Sequence, residues 1–174
     1  SARELKKNHH AAQLSCEQIT VIKKAFITAA YRLKQAGVDG IQLHAAHSYL
    51  LSRFIDKTFN NRQDKYGGDI KNRFRLCSEI ISGIKEKCGD DFPIAIKINS
   101  DSQTDDETYA ADMDYVIDKC QQLGIEFIEW SGVDFINQPR SDSLYYFKRI
   151  NTFAQNHSIP MSIVGGVKSV NDIN

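Results

Sequence analysis

Residues 40–54 read GIQLHAAHSYLLSRF. Ile41 and Leu43 alternate with Gln42 and His44, the two-residue period of a strand with one apolar face. Leu50, Leu51 and Phe54 then recur at helical spacing. His44, His47 and Tyr49 therefore fall where a strand gives way to a helix. In α/β proteins, ligands sit at such carboxyl ends of strands.

Working outward, the same two periods alternate along the chain. Upstream, Ser15 with Gln18 forms a capping box for a helix whose apolar positions are Ile19, Ile22, Phe26, Ala29, Ala30 and Leu33, ending at Gly37. Residues 1–14, with His9 and His10 side by side, read as a loop or arm. Downstream, a polar loop leads to a helix over about 72–88, with Phe74, Cys77, Ile81 and Ile84 as its buried stripe. Pro93 opens the strand IAIKIN (94–99), a third helix covers about 105–123, and IEFIEWS (125–131) is a third strand. A fourth helix over about 143–156 precedes a fourth strand, MSIVGG (161–166), and another helix is expected to begin before Asn174. Strands alternating with helices mean parallel strands with crossover helices, in a doubly wound sheet or a (β/α) barrel.

Strand parity favours the barrel. Ile94, Ile96 and Ile98 share one face, leaving Lys97 on the other, just as Ile41 and Leu43 oppose Gln42 and His44. One face would meet the helices and the other the barrel interior, with Lys97 inward near its strand's carboxyl end. Strands of a doubly wound sheet more often read as continuous apolar runs. The third strand, with Glu126, Glu129 and Ser131, shows no clear parity. A whole barrel needs eight strands and typically ~250 residues, so residues 1–174 are expected to be a single partial-barrel domain, missing its first and last strands, within a longer protein.

Composition narrows the function. Lys plus Arg and Asp plus Glu number 22 each, for a formal net charge of zero. This gives no basic footprint for nucleic acid, and no apolar run approaches the ~20 residues of a membrane helix. The N-terminal stretch lacks a signal peptide's apolar core. Cys16, Cys77, Cys88 and Cys120 include no C-x-x-C pair and read as reduced thiols, implying a cytoplasmic protein. Histidines three apart also occur as metal ligands, but no neighbouring Glu or Asp completes a zinc motif of the H-E-x-x-H kind. No metal is expected.

The segment AGVDGIQLHAAHSYLLSRFIDKTFNNRQDKYGGDIKNRFRL (36–76) carries A-G-x-D-G, H-x-x-H-x-Y-L, N-x-R-x-D-x-Y-G-G and N-R-x-R in order. It resembles the central signature of the old yellow enzyme family, the NAD(P)H-dependent flavin oxidoreductases. FPIAIKIN, FIEWSG and IPMSIVGG follow in the family's order. The resemblance covers nearly all of this chain and about half of a family member, and it implies strands four to seven of a (β/α)8 TIM barrel. It implies FMN as cofactor, NAD(P)H as reductant and an activated alkene such as an enone as small-molecule substrate. His44 and His47 would then donate hydrogen bonds to the substrate carbonyl, and Tyr49 would supply a proton.

Lys97 stands where the family usually has arginine, beside the flavin's pyrimidine edge. Gly165 and Gly166 match the turn whose N–H groups meet the flavin phosphate. Arg62, Asp64, Tyr66, Gly67 and Gly68 are expected to shape a loop and tie it to neighbouring helices. Residues 133–143, with Arg140, are expected to form a specificity loop. The expected partners are the substrate and either a second copy of the chain or the remainder of the barrel. The competing reading is a truncated, non-catalytic partial barrel serving as a structural or interaction module.

Overall fold

The computed structural model describes residues 12–101, 106–132 and 147–165. The arm at 1–11, the loop at 133–146, Gly166 and the final helix start lie outside the described residues. Helix α1 (Cys16–Gln35) leads into strand β1 (Ile41–Ala45), followed by the short helices α2 (Leu50–Ile55) and α3 (Ile70–Arg73). Then come α4 (Arg75–Cys88), β2 (Ile94–Asn99), α5 (Asp106–Gln122), β3 (Ile128–Ser131), α6 (Phe147–Asn156) and β4 (Met161–Val164). The capping box at the start of α1 is formed. The Gln18 N–H donates to Ser15 Oγ at 3.2 Å, and the Ser15 N–H donates to Gln18 Oε1 at 2.8 Å.

The four strands are parallel and ordered β1-β2-β3-β4, each beside its successor. A doubly wound sheet reverses its order at a switch point; this one does not. The two faces also differ as the parity requires. Leu43, Ile94, Ile96, Ile98, Ile128 and Trp130 are buried in one core with the apolar stripes of α4, α5 and α6. Each fully buried isoleucine contributes about 1.5–3 kcal/mol, so this face dominates the stability. Trp130 stacks on Phe153 of α6 with ring centroids 5.6 Å apart. The opposite face carries Gln42, His44, Lys97, Glu129 and Ser162, none of them buried. A parallel arc with helices on one face and polar groups on the other is a segment of a (β/α) barrel.

Several expectations are corrected in detail. The helix expected from about 72 begins earlier, because the Asp69 side chain accepts from the Asn72 N–H and caps α3; the chain then breaks at Phe74 before α4. The third strand starts at Ile128 rather than 125. The preceding residues still pair with β2, through Glu126 N–H to Ile94 O at 2.9 Å and Ile96 N–H to Phe127 O at 3.2 Å. Of the six apolar positions expected on α1, Ile19 and Ala30 are buried, Ile22 and Phe26 are half-buried, and Ala29 and Leu33 are exposed. Helix α1 packs against α4, and most of its remaining residues are exposed.

The loop between α2 and α3 is braced as its residue types suggest. Asn60 Nδ2 donates to the carbonyls of Phe54 (2.6 Å) and Tyr66 (2.8 Å). Arg62 pairs with Asp64 at 2.5 Å and donates to Leu14 O. That arginine holds the Asp64 carboxyl down to about 2. A side chain at Gly67 would be driven into the Arg62 backbone, so this crossing requires glycine. Tyr66 is buried and donates to Glu79 of α4 at 3.0 Å.

Candidate functional site

Because the strands are parallel, their carboxyl ends share one rim. His44 of β1 is the register partner of Lys97 in β2, which partners Glu129 in β3, which partners Ser162 in β4. One step nearer the rim the row is Asn99, Ser131 and Val164. Both rows lie on the face turned away from the helices.

Beyond β1 the backbone turns sharply. His47 and Ser48 both have φ of 59°, the left-handed region that costs a non-glycine residue about 1–2 kcal/mol. Such strain persists only where surrounding contacts enforce it, and two strands supply them. The His47 N–H donates to Asn99 Oδ1 at 2.8 Å, and His47 Nε2 lies 2.7 Å from Ser131 Oγ. The turn carries the His47 ring over the strand end, 5.2 Å from the His44 ring, centroid to centroid. It also delivers Tyr49 as the residue preceding α2, its ring 5.3 Å from His44 and 57% exposed. The two histidines and the tyrosine thus converge at the rim.

Lys97 Nζ forms an ion pair with Glu129 Oε1 at 2.6 Å. Burial, and then the Lys97 charge, lower the His44 imidazole below its ordinary value; Glu129 pulls the other way. His47 is lowered by burial first, then by His44 and Lys97. Both imidazoles are therefore neutral at pH 7, each with one N–H and one lone pair. If Ser131 donates to His47 Nε2, the proton of His47 sits on Nδ1 and is available to a ligand. Ser131 is buried and hence placed to influence that tautomer.

Gly165 follows β4 on the same rim, with φ of 93°, a conformation suited to glycine. Its companion Gly166 lies outside the described residues. The sequence pattern assigns Asn99, Ser131 and Glu129 no place in the site. Asn99 has the parity of Lys97, and Ser131 that of Glu129, but only the strand register relates the two pairs.

Two hollows lie elsewhere. One, of about 30 Å³, sits on the helix side between Ala45, Ile98, Tyr109 and Met113, with room for about one water. Another, of about 380 Å³, opens at the amino end of the strands around Gln42, Ala95 and Phe127, away from the converging side chains. Among the described residues no three His, Cys, Asp or Glu side chains are grouped to hold a metal ion. No helix among them is long and apolar enough to cross a membrane.

A profile of the NADH:flavin oxidoreductase / NADH oxidase family matches residues 2–172. The chain belongs to this family. It is 42% identical over 86 residues to a cinnamate reductase of Clostridium sporogenes, covering 49% of this chain and 13% of that one. It is 38% identical over 129 residues to the NADH-dependent flavin oxidoreductase nadA of Aspergillus parasiticus, covering 72% of this chain and 28% of that one. In fold it is similar to the old yellow enzyme homologue of Zymomonas mobilis, with a TM-score of 0.72 at 23% identity over 91% of this chain and 44% of that one. The chain thus spans less than half the length of each of these relatives.

Members of this NADH:flavin oxidoreductase family use FMN, with NAD(P)H as reductant. The residues present fit part of such a site. Among the described residues, the inner face offers the Lys97 ammonium among polar neighbours, and the rim ends at Gly165.

Proposed function

We propose that this chain supplies strands four to seven, and the substrate-binding rim, of an FMN-dependent oxidoreductase of the old yellow enzyme type. Residues 1–174 form part of one barrel domain, which the remainder of the protein completes. The observation that carries this reading is the convergence of His44, His47 and Tyr49 beside Lys97 at the strand ends. When bound, FMN supplies the redox chemistry, taking hydride from NAD(P)H and giving it to an electron-poor alkene.

The protein's own groups do the rest. Lys97 would hold the pyrimidine edge of a bound flavin, and its phosphate would be held by the backbone N–H groups that the resemblance assigns to Gly165 and Gly166. His44 and His47, both neutral, aim N–H donors at the substrate carbonyl oxygen, where negative charge grows as hydride arrives. Tyr49 delivers a proton to the neighbouring carbon. A phenolic hydroxyl is a donor suited to such a general-acid role. The substrate class is an enone or a related activated alkene, and the setting is cytoplasmic.

The test uses the intact protein loaded with FMN. Tyr49→Phe is expected to slow reoxidation by an enone at least about 100-fold, within the usual size of acid catalysis. Reduction of the flavin by NAD(P)H should stay within about twofold. Equal loss of both half-reactions removes Tyr49 from this role. An intact protein that takes up no FMN defeats the reading altogether.

A further inference from the structure

We infer that Glu129 is a positioning residue that holds the Lys97 ammonium against the inner wall and thereby sets how much positive charge the flavin meets. This rests on the functional reading above. It starts, though, from an observation that reading does not use: the lysine assigned to the cofactor is already paired, Nζ to Oε1, at 2.6 Å.

The pairing follows from the strand register. Lys97 and Glu129 are direct partners across β2 and β3, on the face opposite the buried isoleucines. Neither can turn to the helix side, where Ile96, Ile98, Ile128 and Trp130 fill the core. Both side chains are largely shielded, at 17% and 24% exposure, so water screens the pair only in part. A lysine, unlike arginine, has a flexible four-carbon stem and no planar fork to orient it. Something else must fix where its charge sits, and Glu129 is the carboxylate that does so.

The pair also changes what the charge is worth. A lone ammonium would favour the reduced, anionic flavin strongly; an ammonium carrying a carboxylate favours it less. Glu129 thus holds the cofactor's potential below the value Lys97 alone would set, which keeps the reduced flavin a strong hydride donor. At an effective dielectric of about 20, one unit charge about 10 Å away shifts an equilibrium by roughly tenfold.

The experiment measures the midpoint potential of FMN in the intact protein by equilibration with a reference dye. Glu129→Gln is expected to favour the reduced over the oxidised cofactor about tenfold, a rise of about 30 mV for two electrons. Glu129→Asp keeps the charge while shortening the reach, and its shift should stay under about threefold. It also covers the case in which the glutamine variant fails to fold. In a Lys97→Met background the Glu129→Gln shift should differ from the wild-type shift by more than about threefold, because the carboxylate's direct field is then lost without releasing an ammonium.

An unmoved potential in Glu129→Gln, or the same shift with and without Lys97, overturns this inference while leaving the oxidoreductase reading intact. Wild-type protein that binds no FMN overturns both.

Discussion

Asn99 holds the turn that carries His47, and removing its side chain should cost the site its preorganisation. Asn99 Oδ1 accepts the His47 N–H at 2.8 Å. A hydrogen bond of this kind contributes about 1 kcal/mol net, and more if the donor is left without an acceptor. It opposes the strain of two successive left-handed residues, His47 and Ser48, at about 1–2 kcal/mol each. In Asn99→Ala the turn is free to relax toward ordinary backbone angles, and the His47 ring leaves its place over the strand end. A ligand oxygen needing both imidazoles should then bind about tenfold more weakly, the equivalent of about 1.4 kcal/mol. Asn99→Asp keeps an acceptor at the same reach and should stay within about threefold. The assay is calorimetric titration of a simple phenol into the FMN-loaded intact protein, with circular dichroism to show that each variant is folded. Phenol affinity of folded Asn99→Ala within twofold of wild type would refute the assignment of strain and contact to this turn.

Two further outcomes follow from other parts of the molecule. Gly67→Ala should destabilise the protein by more than about 2 kcal/mol in urea unfolding, because the new methyl meets the Arg62 backbone with no room to yield; a loss under about 0.5 kcal/mol would show that the loop can shift. His44 and His47 are lowered on folding, first by burial, so the unfolded chain binds protons that the native chain refuses. Stability should therefore be unaffected by these groups above about pH 6.5 and decline as the pH falls below it. Lys97→Met should move both imidazole titrations upward when followed by NMR. Either ring titrating at or above 6.5 in wild type would contradict the burial on which this rests.

Legibility in the sequence tracked the range of each interaction. The inward setting of His44 and Lys97 was readable because strand parity repeats every two residues and three isoleucines mark it in β2. The capping box of α1 was equally local. The facing of Glu129 is ambiguous in the sequence because Glu126, of opposite parity, sits in the same apolar run; only pairing with β2 places one inside the strand and the other before it. Asn99 and Ser131 lie 52 and 84 residues from His47, so nothing in the local pattern couples them to its turn. The start signal at Asp69 is masked in the sequence by the stronger apolar period that follows it.

Arg73 has a consequence for how the rim can change over generations. Buried at the end of α3, it donates to Ile55 O at 2.7 Å and to Gly68 O at 2.5 Å, and it pairs with Asp112 of α5. Ile55 ends the six-residue helix whose opposite end presents Tyr49. So short a helix has little stability of its own and takes its bearing from this rivet. Exchanges at Asp112, on the outer layer, would tilt the phenol without altering His44, His47 or Tyr49 themselves, giving selection a way to reposition the rim from behind the wall.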